Sequence, residues 1–479
     1  MLPERLQDCK LHRFGFRVDW GMPFIDLSYL QLPQTFYVHQ HPLPVKDAEF
    51  LVWNEPLAQR LGLEKDMELF AGNRVPTGQT PVAQAYRGHQ FGHSTMLGDG
   101  RAVLLGEVET TDGQRMDVQL KGSGRTPFSR GGDGRAAVEP MLREYLISEA
   151  MYALRIPSTR SLAVCATGEK VLRESALPGA VLTRVASSHL RVGTFEYAAA
   201  LDDPDALRAL VIYALNRHDP ERSTPLEFFE GVIERQASLV AKWMAVGFVH
   251  GVMNTDNVSI SGETIDYGPC AFMDRYDPET VFSSIDRQGR YAYGNQPHIT
   301  HWNLAVLAGA LLPVIHGDSD TAEQKVREKL DRFPERFRAA WQKEMNAKIG
   351  LSSIKDGDDL LIGELLDVMY KNQADYTRTF SDLDPERVMT GYEEWHGKWM
   401  KRLEGEKDPL KRMHETNPVV IPRNHQVEAA LHAAGGGDLT KVEALLDLLS
   451  DPFNRSRPYG ELAEPPPQDA PAYITFCGT

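Results

Sequence analysis

The sequence predicts an α+β protein with two lobes, a small lobe rich in strands followed by a larger helical lobe. Short apolar or alternating runs bounded by glycine dominate residues 96–190, whereas helical periodicity dominates residues 191–424. The length of 479 residues is sufficient for these two lobes and for an extension at each end, residues 1–95 and 425–479.

Composition narrows the classes of function. The net charge is -15, which argues against a surface of Lys and Arg that binds nucleic acid or an anionic membrane. The N-terminus has no continuous apolar segment, and we find no apolar run of membrane-spanning length, so we expect a cytoplasmic protein. The 4 cysteines are too few and too scattered for a disulfide framework or a Cys-x-x-Cys zinc site.

Residues 1–95 contain the apolar segment Phe50–Trp53, which predicts a short packed element. Farther on, His89 and His93 are four residues apart, a spacing that on a helix can bind a metal. Two glycines in the same segment would each cost a helix roughly 1 kcal/mol, and no third ligand follows at a familiar spacing. We therefore favour a structural role for both histidines.

A glycine-bearing turn and a strand that ends in lysine open the predicted small lobe. The segment Gly98–Arg101 separates two apolar runs, which predicts a hairpin whose backbone amides can approach a phosphate. Met116–Lys121 alternates and ends in a lysine, as does the protein-kinase strand that binds ATP phosphates. Pro140–Leu154 has helical periodicity, and its Glu144 and Glu149 lie on different faces. Only one can meet the lysine; we select Glu144 and keep Glu149 as the alternative.

The remaining elements follow in order along the chain. Apolar runs predict strands that complete a small sheet at residues 162–166, 171–173 and 180–184. Helical patterns then cover residues 205–249, 302–312, 323–349, 360–369, 426–434 and 439–449.

The segment Gly247–Gly268 resembles the catalytic loop and the Asp-Phe-Gly motif of protein kinases. The metal-binding asparagine of kinases falls on Asn257, and Asp266 begins an Asp-Tyr-Gly, with a short predicted strand between them. The proton acceptor of kinases falls on Val252, which has no such chemistry, but a carboxylate is present at Asp256. An acid and two oxygen ligands are thus expected around one small volume, which suffices to hold a divalent cation on the phosphates of a nucleotide.

Four blocks of the chain, read together, closely resemble the selenoprotein O family of kinase-like proteins: GHQFGH…LGDGRAVLLGE, DVQLKGSGRTPFSRGGDGRA, LREYLISEAM and HGVMNTDN…DYGP. The resemblance implies a protein-kinase-like fold and transfer of AMP from ATP to Ser, Thr or Tyr hydroxyls of proteins, with release of pyrophosphate. It implies Asp256 as the proton acceptor and Mg²⁺, with Mn²⁺ as the alternative, bound by Asn257 and Asp266. It implies ATP contacts for Gly98, Gly100, Arg101, Lys121, Asp133, Gly134, Arg184, Arg191 and Asp266.

Several alternatives stay open at this point. An ordinary protein kinase, which transfers the γ-phosphoryl group, agrees with the fold but not with Val252. A nucleotide-binding pseudokinase scaffold has no evident need of the lysine and the metal ligands. Spacing alone does not distinguish Arg184 and Arg191 as phosphate ligands from surface ion pairs, and Asp256 can instead be a metal ligand or an orienting group.

The resemblance also concerns two cysteines. The family often has a redox-active cysteine or selenocysteine near its C-terminus, and Cys477 resembles that residue, while Cys270 lies two residues beyond the Asp-Tyr-Gly. A reversible disulfide between them would regulate rather than stabilise, because the cytosol normally keeps thiols reduced. Two inert thiols are the alternative.

Overall fold

The computed structural model describes residues 23–475 except Phe91, Gln468 and Ala472. Most strands lie before residue 190 and form a nine-stranded antiparallel sheet, whereas the later part of the described chain is mainly helical. The predicted α+β class is therefore confirmed.

The first part of the chain contains most of the strands and three helices. They are β1 (Phe24–Ile25), β2 (Tyr37–His39), β3 (Glu49–Trp53), α1 (Glu55–Leu61), α2 (Met67–Phe70), β4 (Val82–Gln84), β5 (Arg87–Gln90), β6 (His93–Met96), β7 (Ala102–Glu109), β8 (Arg115–Lys121), β9 (Ala136–Ala137), α3 (Val138–Ala153), β10 (Arg160–Leu172) and β11 (Ala176–Ala186).

The large sheet has the strand order β2-β4-β7-β8-β11-β10-β3, with β1 on β7 and β9 on β11. Strands β1 to β4 thus belong to the same sheet as the later strands. Helices α1 and α2 cover one face of the sheet and α3 covers the other. Because both faces are buried, the central strands are almost continuously apolar rather than alternating.

The prediction of a hairpin at Gly98–Arg101 is wrong. Strand β6 pairs with β5 in a separate two-stranded sheet, whereas β7 pairs with β8 and β4. The turn chemistry indicates where the chain bends, but it does not determine which strands pair. His89 and His93 lie on the paired strands β5 and β6 rather than on a helix.

The second part of the chain is mainly helical. Its elements are α4 (Val192–Ala199), α5 (Pro204–His218), α6 (Pro225–Ala245), β12 (Phe248–Val249), β13 (Ala271–Phe272), α7 (Gln296–Ile315), α8 (Ser319–Leu330), α9 (Phe333–Lys348), α10 (Asp358–Lys371), α11 (Tyr376–Ser381), α12 (Glu393–Leu403), α13 (Pro409–Thr416), α14 (Asn424–Gly435) and α15 (Thr440–Leu449).

Two details differ from the predicted pattern. The continuous helix expected over residues 323–349 is divided into α8 and α9, and Pro334 lies in the first turn of α9. Proline fits a first turn because the N–H that it lacks has no intrahelical acceptor there. The strand expected after Asn257 is reduced to an isolated bridge between Ser259 and Arg191.

One helix of the described chain, Tyr293–Ile315, is long and apolar enough to cross a membrane, with a mean hydropathy of 1.4. It packs against α4, α6 and α8. Its Asn303 is buried and donates to the Met253 carbonyl at 2.9 Å. These contacts are typical of a core helix.

Helix α3 is enclosed by the sheet on one side and by α14 and α15 on another. Its residues Leu142 and Leu146 are fully buried in that core. Packing on more than one side explains why polar residues of this helix, such as Glu144, are also buried. The helix is therefore a rigid support for the side chains that it presents to the site.

Candidate active site

A cleft of about 1030 Å³ is bordered by two glycine-rich loops, residues 98–101 and 122–135, by α3, and by the loop between β12 and β13. All the predicted nucleotide, metal and proton-acceptor residues line it: Gly98, Gly100, Arg101, Lys121, Asp133, Gly134, Glu144, Arg184, Arg191, Asp256, Asn257 and Asp266. The structure thus brings together side chains that are up to 168 residues apart in the sequence (266 − 98).

Asp266 lies at the centre of a cluster of buried charges. Its Oδ1 contacts Lys121 Nζ and accepts a hydrogen bond from Arg184 Nη1 at 2.8 Å, and its Oδ2 accepts one from Arg191 Nη1 at 2.8 Å. Burial by itself would raise the pKa of this carboxyl, but the three cations together hold its pKa well below the ordinary value. Asp266 is therefore ionised.

Glu144 binds two of the same cations from α3. Its Oε2 accepts from Lys121 Nζ at 2.5 Å and its Oε1 from Arg184 Nη1 at 3.2 Å. Glu149 instead binds Arg160, with 2.7 Å between Oε2 and Nη2, and makes no contact with the lysine. Removing one member of such a buried network leaves a charge unpaired, which typically costs about 3–5 kcal/mol.

The two arginines retain donors for a further ligand. The Nε groups of Arg184 and Arg191 are buried and have no hydrogen-bond partner among the described residues. Arg191 also lies over the Tyr86 ring, with 4.7 Å to the centroid. Both arginines line the cleft and place positive charge there.

The two glycine-rich loops are joined by hydrogen bonds. Thr126 Oγ1 donates to the Asp99 carbonyl at 2.6 Å, and Ser129 Oγ donates to the Gly100 carbonyl. Gly134 has a φ of +67°, and a Cβ there would lie 2.1 Å from the Gly124 carbonyl oxygen. No residue with a Cβ fits this position, so the close packing of Gly124 against Gly134 within the second loop requires glycine.

Asp133 and Arg101 lie at the outer part of the cleft. Asp133 is half exposed and pairs with Arg173, with 3.0 Å between Oδ2 and Nη1. Hydrogen bonding to this arginine lowers the pKa of Asp133. The Arg101 carbonyl accepts from Gly122 N at 2.7 Å, which ties the first glycine-rich loop to the end of β8.

Asp256 and Asn257 lie on a 3₁₀ turn, Thr255–Asn257. Asn257 Nδ2 donates to the Val252 carbonyl at 3.1 Å, which fixes the amide of this side chain. Asp256 Oδ1 is buried and has no hydrogen-bond partner among the described residues. Burial raises the pKa of Asp256 to about 6, although Arg191 opposes this rise. A carboxylate with a raised pKa is a better proton acceptor than an exposed one.

His250 has a structural position beneath this loop. Its Nε2 is 3.0 Å from the Ile265 carbonyl oxygen, directly before Asp266. Burial lowers the pKa of His250, so the ring is neutral and donates from Nε2 to that carbonyl. The histidine thus connects the two halves of the kinase-like motif.

The hairpin of β5 and β6 covers Asp256. His89 N donates to Thr255 Oγ1 at 2.8 Å, and the His89 ring contacts the buried Glu196 carboxylate. A Cβ at Gly88 would lie 2.3 Å from Asp256 Oδ1. Only glycine allows the hairpin to approach this carboxylate so closely. Gly88 is one of the two glycines that were expected to disfavour a helix at His89 and His93. Its contact with Asp256 was not predicted from the sequence.

Two further residues of the site were not predicted. Gln119 accepts from Arg184 Nη2 at 2.7 Å and donates to Asp99 Oδ2 at 3.2 Å. Asp99 also accepts from Gln84 N at 3.0 Å, and burial raises its pKa to about 6. The alternation of β8 places Gln119 on the same face as Lys121, so period-two spacing from the lysine was the available signal.

Cys270 is fully buried and is a free thiol, and burial raises its pKa to about 12. Its carbonyl accepts from Arg143 Nη2 at 2.7 Å. Cys477 lies outside the described residues. The predicted pairing of the two cysteines therefore stays a prediction.

A metal at this site would need ligands from the nucleotide. Within residues 23–475, apart from the gaps stated above, no group of three or more His, Cys, Asp or Glu side chains could hold a metal ion. Asn257 and Asp266 supply oxygen donors to the cleft, and phosphate oxygens would complete the coordination. Such all-oxygen sets suit Mg²⁺ and Mn²⁺.

Comparison with known proteins places this chain in a family. The family model for the protein adenylyltransferase SelO matches residues 24–450. Two relatives named protein nucleotidyltransferase YdiU are each 54% identical: that of Anoxybacillus flavithermus, with 95% of this chain and 98% of the relative covered, and that of Geobacillus kaustophilus, with 96% and 100%. The relative of the same name from Clostridium beijerinckii is 50% identical, with 95% and 97% covered. The resemblance to the selenoprotein O family is confirmed, and the chain belongs to the SelO family of protein adenylyltransferases.

Proposed function

We propose that this enzyme transfers AMP from ATP to Ser, Thr or Tyr hydroxyls of proteins. The observation that carries the proposal is the position of Asp256, whose carboxylate lines the same cleft as the cluster around Asp266. A hydroxyl acceptor and a nucleotide can therefore meet there. The family and the names of the relatives support the same activity.

The reaction balances within this site. The acceptor oxygen attacks the α-phosphorus, and a new oxygen–phosphorus bond forms. The bond from the α-phosphorus to the bridging oxygen breaks, and pyrophosphate leaves with those electrons. The acceptor proton passes to the Asp256 carboxylate and then to solvent. Because transfer of this kind proceeds through a loose transition state, positioning contributes more than proton abstraction.

The cations of the cleft would hold the triphosphate. Lys121, Arg184 and Arg191 supply fixed positive charge, and the free Nε groups of the arginines would donate to phosphate oxygens. Gly98, Gly100, Arg101, Asp133 and Gly134 would contact the rest of the nucleotide, as the resemblance implies. Asn257 and Asp266 would hold Mg²⁺ or Mn²⁺, which neutralises phosphate charge when bound.

We further propose the kinase-like division into a small lobe, residues 96–190, and a large lobe, residues 191–424. The sheet and α3 support the first and the helices that follow support the second. Residues 1–95 and 425–479 would be extensions, although part of each packs onto the small lobe. The net charge of -15 supports a protein that binds neither nucleic acid nor anionic membranes. We propose a cytoplasmic location.

The second candidate is a protein kinase. The contact of Lys121 with Glu144 and Asp266 favours it, because active kinases use the same types of residue. Val252 at the position of the kinase proton acceptor disfavours it. A pseudokinase scaffold has no use for the Asp256 carboxylate.

The position of the ³²P label in ATP distinguishes a protein adenylyltransferase from a protein kinase. After incubation with ATP, divalent metal and protein, label from α-³²P-ATP is expected on protein, whereas label from γ-³²P-ATP is expected in pyrophosphate only. Electrophoresis and autoradiography measure both. Transfer of the γ-label alone would show that the protein is a kinase. Transfer of neither label would leave the pseudokinase scaffold as the remaining interpretation.

Two aspartates are expected to differ in kinetics. Asp266→Asn should abolish transfer and weaken binding of metal–ATP, because it removes a charge that the metal requires. Asp256→Asn should leave ATP affinity within about twofold but lower kcat roughly 10²-fold, since its role is exercised in the transition state. The matched control is Asp205→Asn, at an exposed aspartate, which should leave both quantities unchanged. Full turnover by Asp256→Asn would show that the proton-acceptor assignment is wrong.

Gly88→Ala tests the contact of the hairpin with Asp256. The new methyl group would overlap the carboxylate, so kcat should fall at least about 10-fold while ATP affinity is unchanged. Isothermal titration and AMP transfer measure the two quantities. Gly363→Ala, on α10 with open space around it, should retain full activity. Equal activity of both variants would mean that the hairpin does not position Asp256.

The proposed redox pair has its own test. Reductant is expected to raise transfer activity in oxidised protein, and Cys477→Ser should abolish that response. Peptide mapping under non-reducing conditions identifies the linked peptides. Recovery of Cys270 and Cys477 only as free thiols from oxidised protein would exclude the switch. The buried position of Cys270 requires local opening before the bond forms.

A further inference from the structure

The C-terminal segment Tyr473–Thr475 lies in the active-site cleft. All three of its residues line the cleft together with Asp256 and Asp266. Neither the transfer reaction nor nucleotide binding, as described above, uses this segment. Its contacts show how an extended chain is held next to the proposed catalytic loop.

The segment is bound through its main chain. Thr475 N donates to the Phe282 carbonyl at 2.7 Å, and Ser284 N donates to the Thr475 carbonyl at 3.0 Å. Ser283 and Thr475 thereby form a parallel bridge. Main-chain pairing of this kind contributes affinity for an extended chain, while contacts of its alternate side chains contribute specificity.

Side chains of the segment alternate between the groove and solvent. Thr475 is buried, and its hydroxyl is 2.9 Å from the Pro269 carbonyl oxygen, to which it donates. The Tyr473 ring packs on Phe282 with 5.9 Å between centroids, whereas Ile474 is 51% exposed. An extended chain with this alternation presents every second side chain to the groove.

Charged groups connect the groove to the reaction centre. The Tyr473 hydroxyl contacts Glu428, which also accepts from Arg143 Nη1 at 2.7 Å. Arg143 Nε donates to the Gly268 carbonyl at 3.1 Å, within the Asp-Tyr-Gly. The Pro269 carbonyl oxygen would lie 2.6 Å from a Cβ at Gly251, in the same loop as Asp256. The groove thus adjoins the place where an acceptor hydroxyl must arrive.

We infer that this groove, formed by Pro269, Phe282–Ser284 and Glu428, is the docking surface for an extended segment of the protein substrate, and that residues 473–475 occupy it in cis. The inference rests on the proposed function, since it assumes a protein acceptor. The preferred segment has an aromatic residue two positions before a Ser or Thr, as in Tyr-Ile-Thr.

The test uses the full-length protein and a fluorescein-labelled peptide of residues 469–475. Thr475→Pro removes the N–H that donates to Phe282 and should release the groove, whereas the control Ile474→Ala should not. Fluorescence anisotropy should show at least about 10-fold tighter peptide binding to Thr475→Pro than to wild type or control. Replacing the tyrosine of the peptide by alanine should abolish the gain. Equal affinity of the peptide for wild type, Thr475→Pro and Ile474→Ala would overturn the inference, and so would the absence of binding to all three.

Kinetics provide a second readout under reducing conditions. With reduced, carboxymethylated casein as acceptor, Thr475→Pro should lower the KM for casein and leave the KM for ATP unchanged. The unlabelled peptide should compete with casein and not with ATP; competition with ATP instead would contradict the docking surface. Peptide competition in the wild-type protein decides the question if Thr475→Pro does not fold. Absence of all AMP transfer would refute the proposed function, while the anisotropy result would still decide whether the groove binds an extended chain.

Discussion

The site depends on one arrangement of charges, the Asp266 carboxylate held by Lys121, Arg184 and Arg191. These four side chains come from two strands of the sheet, the start of α4 and the loop after β12. Burying any one of these charges alone would carry a large desolvation cost. Attraction between the opposite charges compensates part of that cost. Asp266 itself has a φ of +63°, an uncommon conformation that persists because its surroundings determine it.

The same arrangement explains how the cleft is ready for an anion. The carboxylates neutralise part of the positive charge, but the arginine Nε groups stay without partners. Phosphate oxygens would take the place of some carboxylate partners of these cations, whose positive charge is already held in the cleft. The hairpin that covers Asp256 and the tail that pairs with Ser283 bound the cleft on the side that we propose for the acceptor.

Local patterns predicted much of this site from the sequence. Motif spacing selected Asn257 and Asp266, which both line the cleft, and helical geometry limited the partner of Lys121 to one of two glutamates. Pairings between distant segments were not predictable, because turn residues do not specify the partner strand. The contact of Gly88 with Asp256 and the docking of Thr475 are of this kind: each joins segments more than 160 residues apart (256 − 88; 475 − 282).

The central claim is that the α-phosphate of ATP, and not the γ-phosphate, is the group attacked in this cleft. Intact-mass spectrometry of an acceptor protein after incubation with ATP, metal and enzyme measures the transferred group directly. The acceptor is expected to gain the mass of an adenylyl group, and this gain should be absent when the Asp266→Asn variant replaces the wild-type enzyme. Addition of a phosphoryl group with no adenylyl product would contradict it.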